Sequence, residues 1–247
     1  MRQRPVVQES IRPRPDRGRF VTFPVTYGTS VQGLPLEVWL PPDARPPLRM
    51  LIMAGIHGEE PETTSVLSRA KRSLSVPLNN CAVILAANPD GLVRGTRANA
   101  NGIDLNRNFP SKNWHPDDVT HRWTLDETSD VLLSPGDSPG SEPETSALLD
   151  WLAEWKPACV VALHAPLACI DDPALSPLGQ WLSEQTGMPL VEDVGYPTPG
   201  SFGSWASENG LPVITYEFER ASMEHLSILH APVLMALMTG ACPGGEP

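Results

Sequence analysis

The sequence predicts an α/β fold, a β-sheet carrying helices on both faces. Three observations support this. Short apolar runs such as "RMLIMAG" and "ACVVALH" have strand length and read as strands buried on both faces. Segments with helical periodicity fill the intervals between such runs. The polar residues His57, His164 and Glu217 fall at or near the C-terminal ends of three of these runs. That is the edge where open α/β sheets place their ligands.

The elements follow in order. Residues 1 to 19 are polar and broken by proline, as expected of a loose arm ahead of a single domain over 20–247. "RFVTFPVTYG" and "LPLEVWLPP" alternate enough to be antiparallel or edge strands. "RMLIMAG" is the first buried strand. "EEPETTSVLSRAKRSL" follows as a helix, with Pro61 suited to its first turn and acidic residues suited to the positive end of its dipole. "CAVILAANPDG" is a second buried strand ending in a turn. Residues 88 to 140 are rich in Asn, Asp, Arg, Pro and Gly. Loops of that length in a compact domain are usually functional. "GSEPETSALLDWLAEWK" opens on a capping signature and continues as a helix. "ACVVALH" is a third buried strand, "PALSPLGQWLSEQTG" a helix closed by Gly187, "LPVITYEFE" a fourth buried strand, and "ASMEHLSILHAPVLMALMTG" the closing helix.

Composition narrows the function classes. The 247-residue chain carries a formal net charge of −11, which disfavours tracking nucleic-acid phosphates. Its apolar runs are too short or too interrupted to span a bilayer. The first twenty residues lack the apolar core of a secretory signal. The four cysteines (Cys81, Cys159, Cys169, Cys242) show no close pairing and read as reduced, small hydrophobes. These features predict a soluble cytoplasmic protein without nucleic-acid or membrane partners, and they leave a homodimer open.

The stretch "AGIHGEEPET" has the strongest chemical content. It puts His57 and Glu60 three residues apart in a glycine-flanked turn at a strand end. Two imidazoles and a carboxylate with a fourth position left for water form a known zinc hydrolase arrangement. His57, Glu60 and His164 would supply that set, with Glu59 as an alternative to Glu60. A bound zinc ion lowers the pKa of its water to about 7. A glutamate within the apolar strand "VITYEF" is costly to bury without a role, which singles out Glu217. His115, His121, His225 and His230 have no comparable setting and read as surface or structural residues.

"HGEE", "NPDG", "DLNRNF", the strand-end His164 and "YEF" occur in the order found in zinc carboxypeptidases of the M14 type, and the chain resembles that family from about residue 20 to residue 220. "RANANGIDLNRNFP", "PGSEPET", "PLACIDDP" and "TPGSFGSW" most resemble its murein peptide amidase A group. The resemblance implies a mixed sheet flanked by helices and one zinc ion per chain on His57, Glu60 and His164. It implies Glu217 as general base and acid, and Arg97 as the group polarising the scissile carbonyl. It also implies Asn106 and Arg107 as the clamp for a terminal carboxylate, and Tyr196 as a mobile residue closing over the substrate.

The resemblance further implies an amidase acting on L-Ala-γ-D-Glu-meso-diaminopimelate at the bond to diaminopimelate, in recycling of cell-wall peptides. Asp171 and Asp172 are then candidates for the extra amino group of diaminopimelate, with a solvated turn before Pro173 as the alternative. Compact spacing between Glu60 and His164 departs from digestive carboxypeptidases and disfavours broad specificity. Two rivals share these residues: a deacylase of N-acyl amino acids, which keeps the metal and Glu217, and a non-catalytic wall-peptide sensor.

Overall fold

The computed structural model describes residues 23–123 and 129–244, so the arm expected over residues 1–19 lies outside the described residues. Its centre is a six-stranded mixed sheet built from β3 (Met50–Met53), β4 (Cys81–Ile84), β7 (Val160–His164), β8 (Leu167–Asp171), β9 (Leu190–Val191) and β10 (Val213–Glu219). The order across the sheet is β4-β3-β7-β10-β8-β9. The first four run parallel, and β8 pairs antiparallel with β10. The four buried strands expected from the sequence therefore lie side by side. β8 and β9 were not expected. β8 is a five-residue return strand directly after His164, and its exposed Leu167 obscures the apolar pattern.

Strand alternation separates two cores. Met50, Ile52, Val161, Leu163, Ile214, Tyr216 and Phe218 point into one. There they meet α1 (Pro61–Ser73), α4 (Pro177–Thr186) and α6 (Met223–Thr239). Leu51, Met53, Val160 and Ala162 point into the other, against Leu148, Trp151 and Leu152 of α3 (Pro143–Trp155). Helices thus cover both faces, as predicted. Side chains two residues apart share a face. His164 therefore belongs with Val160 and Ala162, and Glu217 with Thr215, on the face opposite Tyr216 and Phe218.

Prolines mark helix starts: α1, α2 (Pro89–Arg94), α3 and α4 each open on one, where its missing N–H costs nothing. The expected cap at α3 does not form. Its N-cap is Glu142, whose carboxylate makes no capping bond and instead accepts from Asn99 and Asn101 at 2.7 and 2.9 Å. The region 88–140 is more ordered than its composition suggests. It holds α2, a 3-10 turn at Leu105–Arg107 and a hairpin of β5 (Val119–Trp123) with β6 (Ser129–Leu133). An antiparallel pair, β1 (Val25–Thr29) and β2 (Pro35–Val38), lies outside the main sheet.

The turn after β3 is fixed by α2. Asn88 caps α2 by accepting from the Gly91 N–H at 2.9 Å, and its amide donates to the Ile56 carbonyl at 3.2 Å. A Cβ on Gly58 would lie 2.0 Å from the Gly91 carbonyl carbon, so the two backbones touch where "HGEE" crosses "NPDG". We expect Gly58→Ala to lower the thermal midpoint by roughly 5–10 °C through forced backbone displacement. Gly203→Ala in α5 (Phe202–Glu208) would place its Cβ no closer than 3.9 Å to any atom beyond its chain neighbours and its own helix backbone. That midpoint should stay within roughly 2 °C of the parent. Equal melting curves for the two variants would show that the turn is not packed as described.

Candidate active site

Three elements place the central residues. His57 lies in the turn after β3, Glu60 is the N-cap of α1, and His164 ends β7. All three are buried. Glu60 makes no side-chain capping bond. Its Oε1 lies 2.8 Å from His57 Nδ1 and its Oε2 3.3 Å from His164 Nδ1. The two Nδ1 atoms are 3.2 Å apart. Among the described residues, this is the one group of His, Cys, Asp and Glu side chains close enough to hold a metal ion.

The donor set fits zinc. Ligands about 2.0–2.1 Å from a tetrahedral ion lie about 3.3–3.4 Å from one another, and the edges here approach that spacing. Imidazole nitrogen and carboxylate oxygen are the ligand types zinc takes in hydrolases. Burial raises the Glu60 pKa, but the facing imidazoles of His57 and His164 outweigh it and hold the carboxyl well below its ordinary range. Burial lowers the His164 pKa, and Glu60 more than reverses the effect.

Asp104 stands behind this group, a role the sequence reading did not assign. Its Oδ1 is 3.5 Å from the buried Nε2 of His57 and accepts the Asn106 N–H at 2.9 Å. Its Oδ2 accepts Arg97 Nε–H at 2.8 Å. One carboxylate thus binds a guanidinium and a backbone segment, and it faces an imidazole nitrogen that has no hydrogen-bond partner. The only hint in the sequence is its position at the head of "DLNRNF".

Arg97 is held from a second side by Glu59, whose Oε1 lies 3.3 Å from Nη1. The same Glu59 oxygen is 2.9 Å from His121 Nε2. Glu59 is therefore engaged by Arg97 and His121, while Glu60 is the glutamate that faces both imidazoles. His121, read from sequence as a surface or structural residue, reaches from β5 to the edge of the site. His230 is structural: fully buried, it pairs with Tyr216 Oη at 2.7 Å and Glu219 Oε2 at 2.8 Å. His115 and His225 lie at the surface near Asp117 and Glu219, respectively.

Asn106 and Arg107 occupy the 3-10 turn. Asn106 Oδ1 accepts the Phe202 N–H at 2.9 Å, which ties the turn to "TPGSFGSW". Gly200 completes that seam. Its φ is +68°, and a Cβ there would lie 2.2 Å from the Arg107 carbonyl oxygen. Arg107 is buried, its Nη1 donates to the Asn106 carbonyl, and its Nε has no partner. Burial lowers its pKa. A desolvated guanidinium with spare donors is suited to an incoming carboxylate. Tyr196 is 53% exposed on the loop after β9, within electrostatic reach of Glu217 and Arg107. Glu217 lies directly across the β7–β10 ladder from His164 and is itself buried. Burial raises its pKa, and proximity to His164 only partly offsets that. Of the two candidate aspartates, Asp172 is consumed by the local turn. It accepts from the Ser176 N–H and hydroxyl at 2.8 and 2.6 Å and from the Ala174 N–H at 3.1 Å.

This fold and site define a metal-centred peptide-bond hydrolase. A family profile described as zinc carboxypeptidase matches residues 17–170. The chain belongs to that family, the M14 zinc carboxypeptidases. Murein peptide amidase A of Escherichia coli (strain K12) is 48% identical over 217 residues, covering 87% of this chain and 89% of that protein. Its counterpart in Vibrio campbellii (strain ATCC BAA-1116) is 43% identical over 230 residues, 93% of this chain and 92% of that one. The crystal structure of murein-tripeptide amidase from Escherichia coli O157 superposes with a TM-score of 0.87 at 45% identity, covering 93% of this chain and 97% of that one. Thrombin-activatable fibrinolysis inhibitor shares the fold at a TM-score of 0.68 and 18% identity, covering 88% of this chain and 70% of that one.

Two metal measurements follow. His164→Ala should lower the zinc retained after dialysis to a small fraction of the parent's. Unchanged zinc by elemental analysis would remove His164 from the group. Asp104→Asn should weaken zinc affinity by about 10–100-fold, the usual effect of losing a group that orients a ligand. Chelator competition reads this directly, and an unshifted competition curve would reduce Asp104 to a partner of Arg97.

Proposed function

We propose that this chain is a zinc-dependent amidase of murein tripeptide, L-Ala-γ-D-Glu-meso-diaminopimelate, cutting between the γ-carboxyl of D-glutamate and diaminopimelate. The reading rests on one observation: relatives named murein peptide amidase A match nearly the whole chain at 48% and 43% identity. One zinc ion per chain, held by His57, Glu60 and His164, would supply Lewis-acid activation of water at neutral pH.

The chain's own groups supply the remaining chemistry. Glu217 takes the proton of the attacking water and passes it to the leaving nitrogen. Its raised pKa suits a group that must both gain and give up a proton. Arg97, held by Asp104 and Glu59, points N–H donors at the carbonyl oxygen as negative charge develops there. Arg107 grips the substrate's terminal carboxylate through paired hydrogen bonds, and Asn106 adds an uncharged donor. Tyr196 closes the loop over the bound peptide. Residues 20–247 act together as one catalytic domain. The reading places the activity in the cytoplasm, on wall fragments brought inside. The free thiols of all four cysteines suit such a reducing compartment. No helix among the described residues is long and apolar enough to cross a membrane.

Incubating the zinc-loaded protein with murein tripeptide should release free diaminopimelate. Binding without release would instead favour a sensor, and release of acyl groups from N-acyl amino acids alone would favour a deacylase. Glu217→Gln should keep its zinc and lose ~10²–10⁴-fold in turnover. A loss below about tenfold would take the proton shuttle away from Glu217. Arg107→Ala should raise KM for the free-acid peptide, and the mutant and parent should converge on a peptide with an amidated terminus. A mutant that still strongly prefers the free acid would place the clamp elsewhere.

A further inference from the structure

Next to Glu217, the sheet face is only partly covered. On the opposite face, Ile170, Ile214, Tyr216 and Phe218 are buried to 4% exposure or less. On the Glu217 face, Val213 and Thr215 of the interior strand β10 and Asp171 of β8 stay half-buried. An interior strand remains open in this way only where the layer above it leaves a slot. The antiparallel register sets Cys169 opposite Glu217 and Asp171 opposite Thr215. Asp171 therefore shares the face of Glu217 and lies one pair further down the slot, roughly 7 Å along the strand.

The Asp171 carboxylate is unusual in its surroundings. Its Oδ1 is fully buried and has no hydrogen-bond partner. After burial itself, the neighbour that most raises its pKa is Glu217, and the carboxyl is pushed up to about 6. Thr215 offers one hydrogen bond in compensation. The local turn does not use Asp171, because the adjacent Asp172 provides those bonds. A half-buried acid with an idle oxygen is costly unless a cation arrives with a ligand.

We propose that Asp171 determines specificity by binding the ammonium at the far end of the substrate's terminal residue. The inference rests on the amidase reading and supplies its selectivity. In diaminopimelate, the distal nitrogen lies five bonds from the α-carbon, roughly 6 Å when extended. That span matches the step from the reacting centre beside Glu217 to Asp171. Arg107 holds the α-carboxylate, and Asp171 reads the side-chain charge that separates diaminopimelate from neutral-ended residues.

The test uses two tripeptides that differ only at the terminal residue, meso-diaminopimelate or 2-aminopimelate. The second keeps the distal carboxylate and lacks the distal amine. The zinc-loaded parent should favour the first in kcat/KM by about tenfold or more, and Asp171→Asn should bring that ratio near unity. A parent indifferent to the amine, or a variant that loses equally on both peptides, would overturn the assignment. Calorimetric titration with free diaminopimelate and free 2-aminopimelate separates this inference from the amidase reading. Amine-dependent binding that Asp171→Asn abolishes, without cleavage of either peptide, would sink the amidase reading and keep the ammonium site. Cleavage of the diaminopimelate peptide with an unchanged ratio in the variant would do the reverse.

Discussion

The site depends on a buried carboxylate facing two imidazoles. Glu60 pays the desolvation cost of a charge removed from water, and His57 and His164 meet its two oxygens at 2.8 and 3.3 Å. Lone pairs from all three side chains converge on one volume, a stable arrangement only around a cation or shared protons. Charges alternate outward from there. Asp104 and Glu59 flank Arg97, and Asp104 also backs His57. Each of these ions has a counterpart, which allows so many of them at one sheet edge. Glu217 and Arg107 depart from this: Glu217 is held near the imidazoles by geometry and left with a raised pKa, and Arg107 donates only to a backbone carbonyl. A proton-transfer group needs that departure from full pairing.

Backbone contacts give the arrangement its precision. Asn88 ties α2 to the His57 turn, Gly58 lets the two backbones touch, and Gly200 lets the 198–205 segment press on Arg107. These contacts join "NPDG" to "HGEE" and "TPGSFGSW" to "DLNRNF". The side chains with chemical roles are thus mounted on segments that brace one another. A substitution that adds one carbon at either crossing would move a functional group without touching it.

Much of this was legible in the sequence, for physical reasons. Strands buried on both faces are continuous apolar runs, so β3, β4, β7 and β10 stood out, and Pro61 marked the start of α1. His57, Glu60, His164 and Glu217 were visible because polar residues ending apolar runs need an explanation. β8 was not visible, because its exposed Leu167 and polar end break the apolar run. The 88–140 region was hard to read because its order comes from side-chain-to-backbone bonds, such as those of Asn88, Asn99 and Asn108. Such bonds leave no periodic signature. The capping signature before α3 misled because its serine and glutamate are engaged elsewhere: Ser141 Oγ donates to Glu142 Oε1 at 2.8 Å, and Glu144 Oε1 accepts the Val31 N–H at 3.0 Å.

Asp171 and Asp172 show where sequence reasoning needs coordinates. As neighbours in one dipeptide they carry the same charge, and each could meet a ligand or close a turn. Strand parity separates them. Asp171 is the last residue of β8 and takes the face shared with Glu217 through its register with Thr215. Asp172 falls on the other side of the chain, where the N-terminus of α4 offers it the Ser176 N–H and hydroxyl. Shifting the β8 register by one residue would exchange their environments. The division of labour between two identical side chains is therefore a property of the β8–β10 ladder, which shares strand β10 with the β7–β10 ladder that puts Glu217 beside His164.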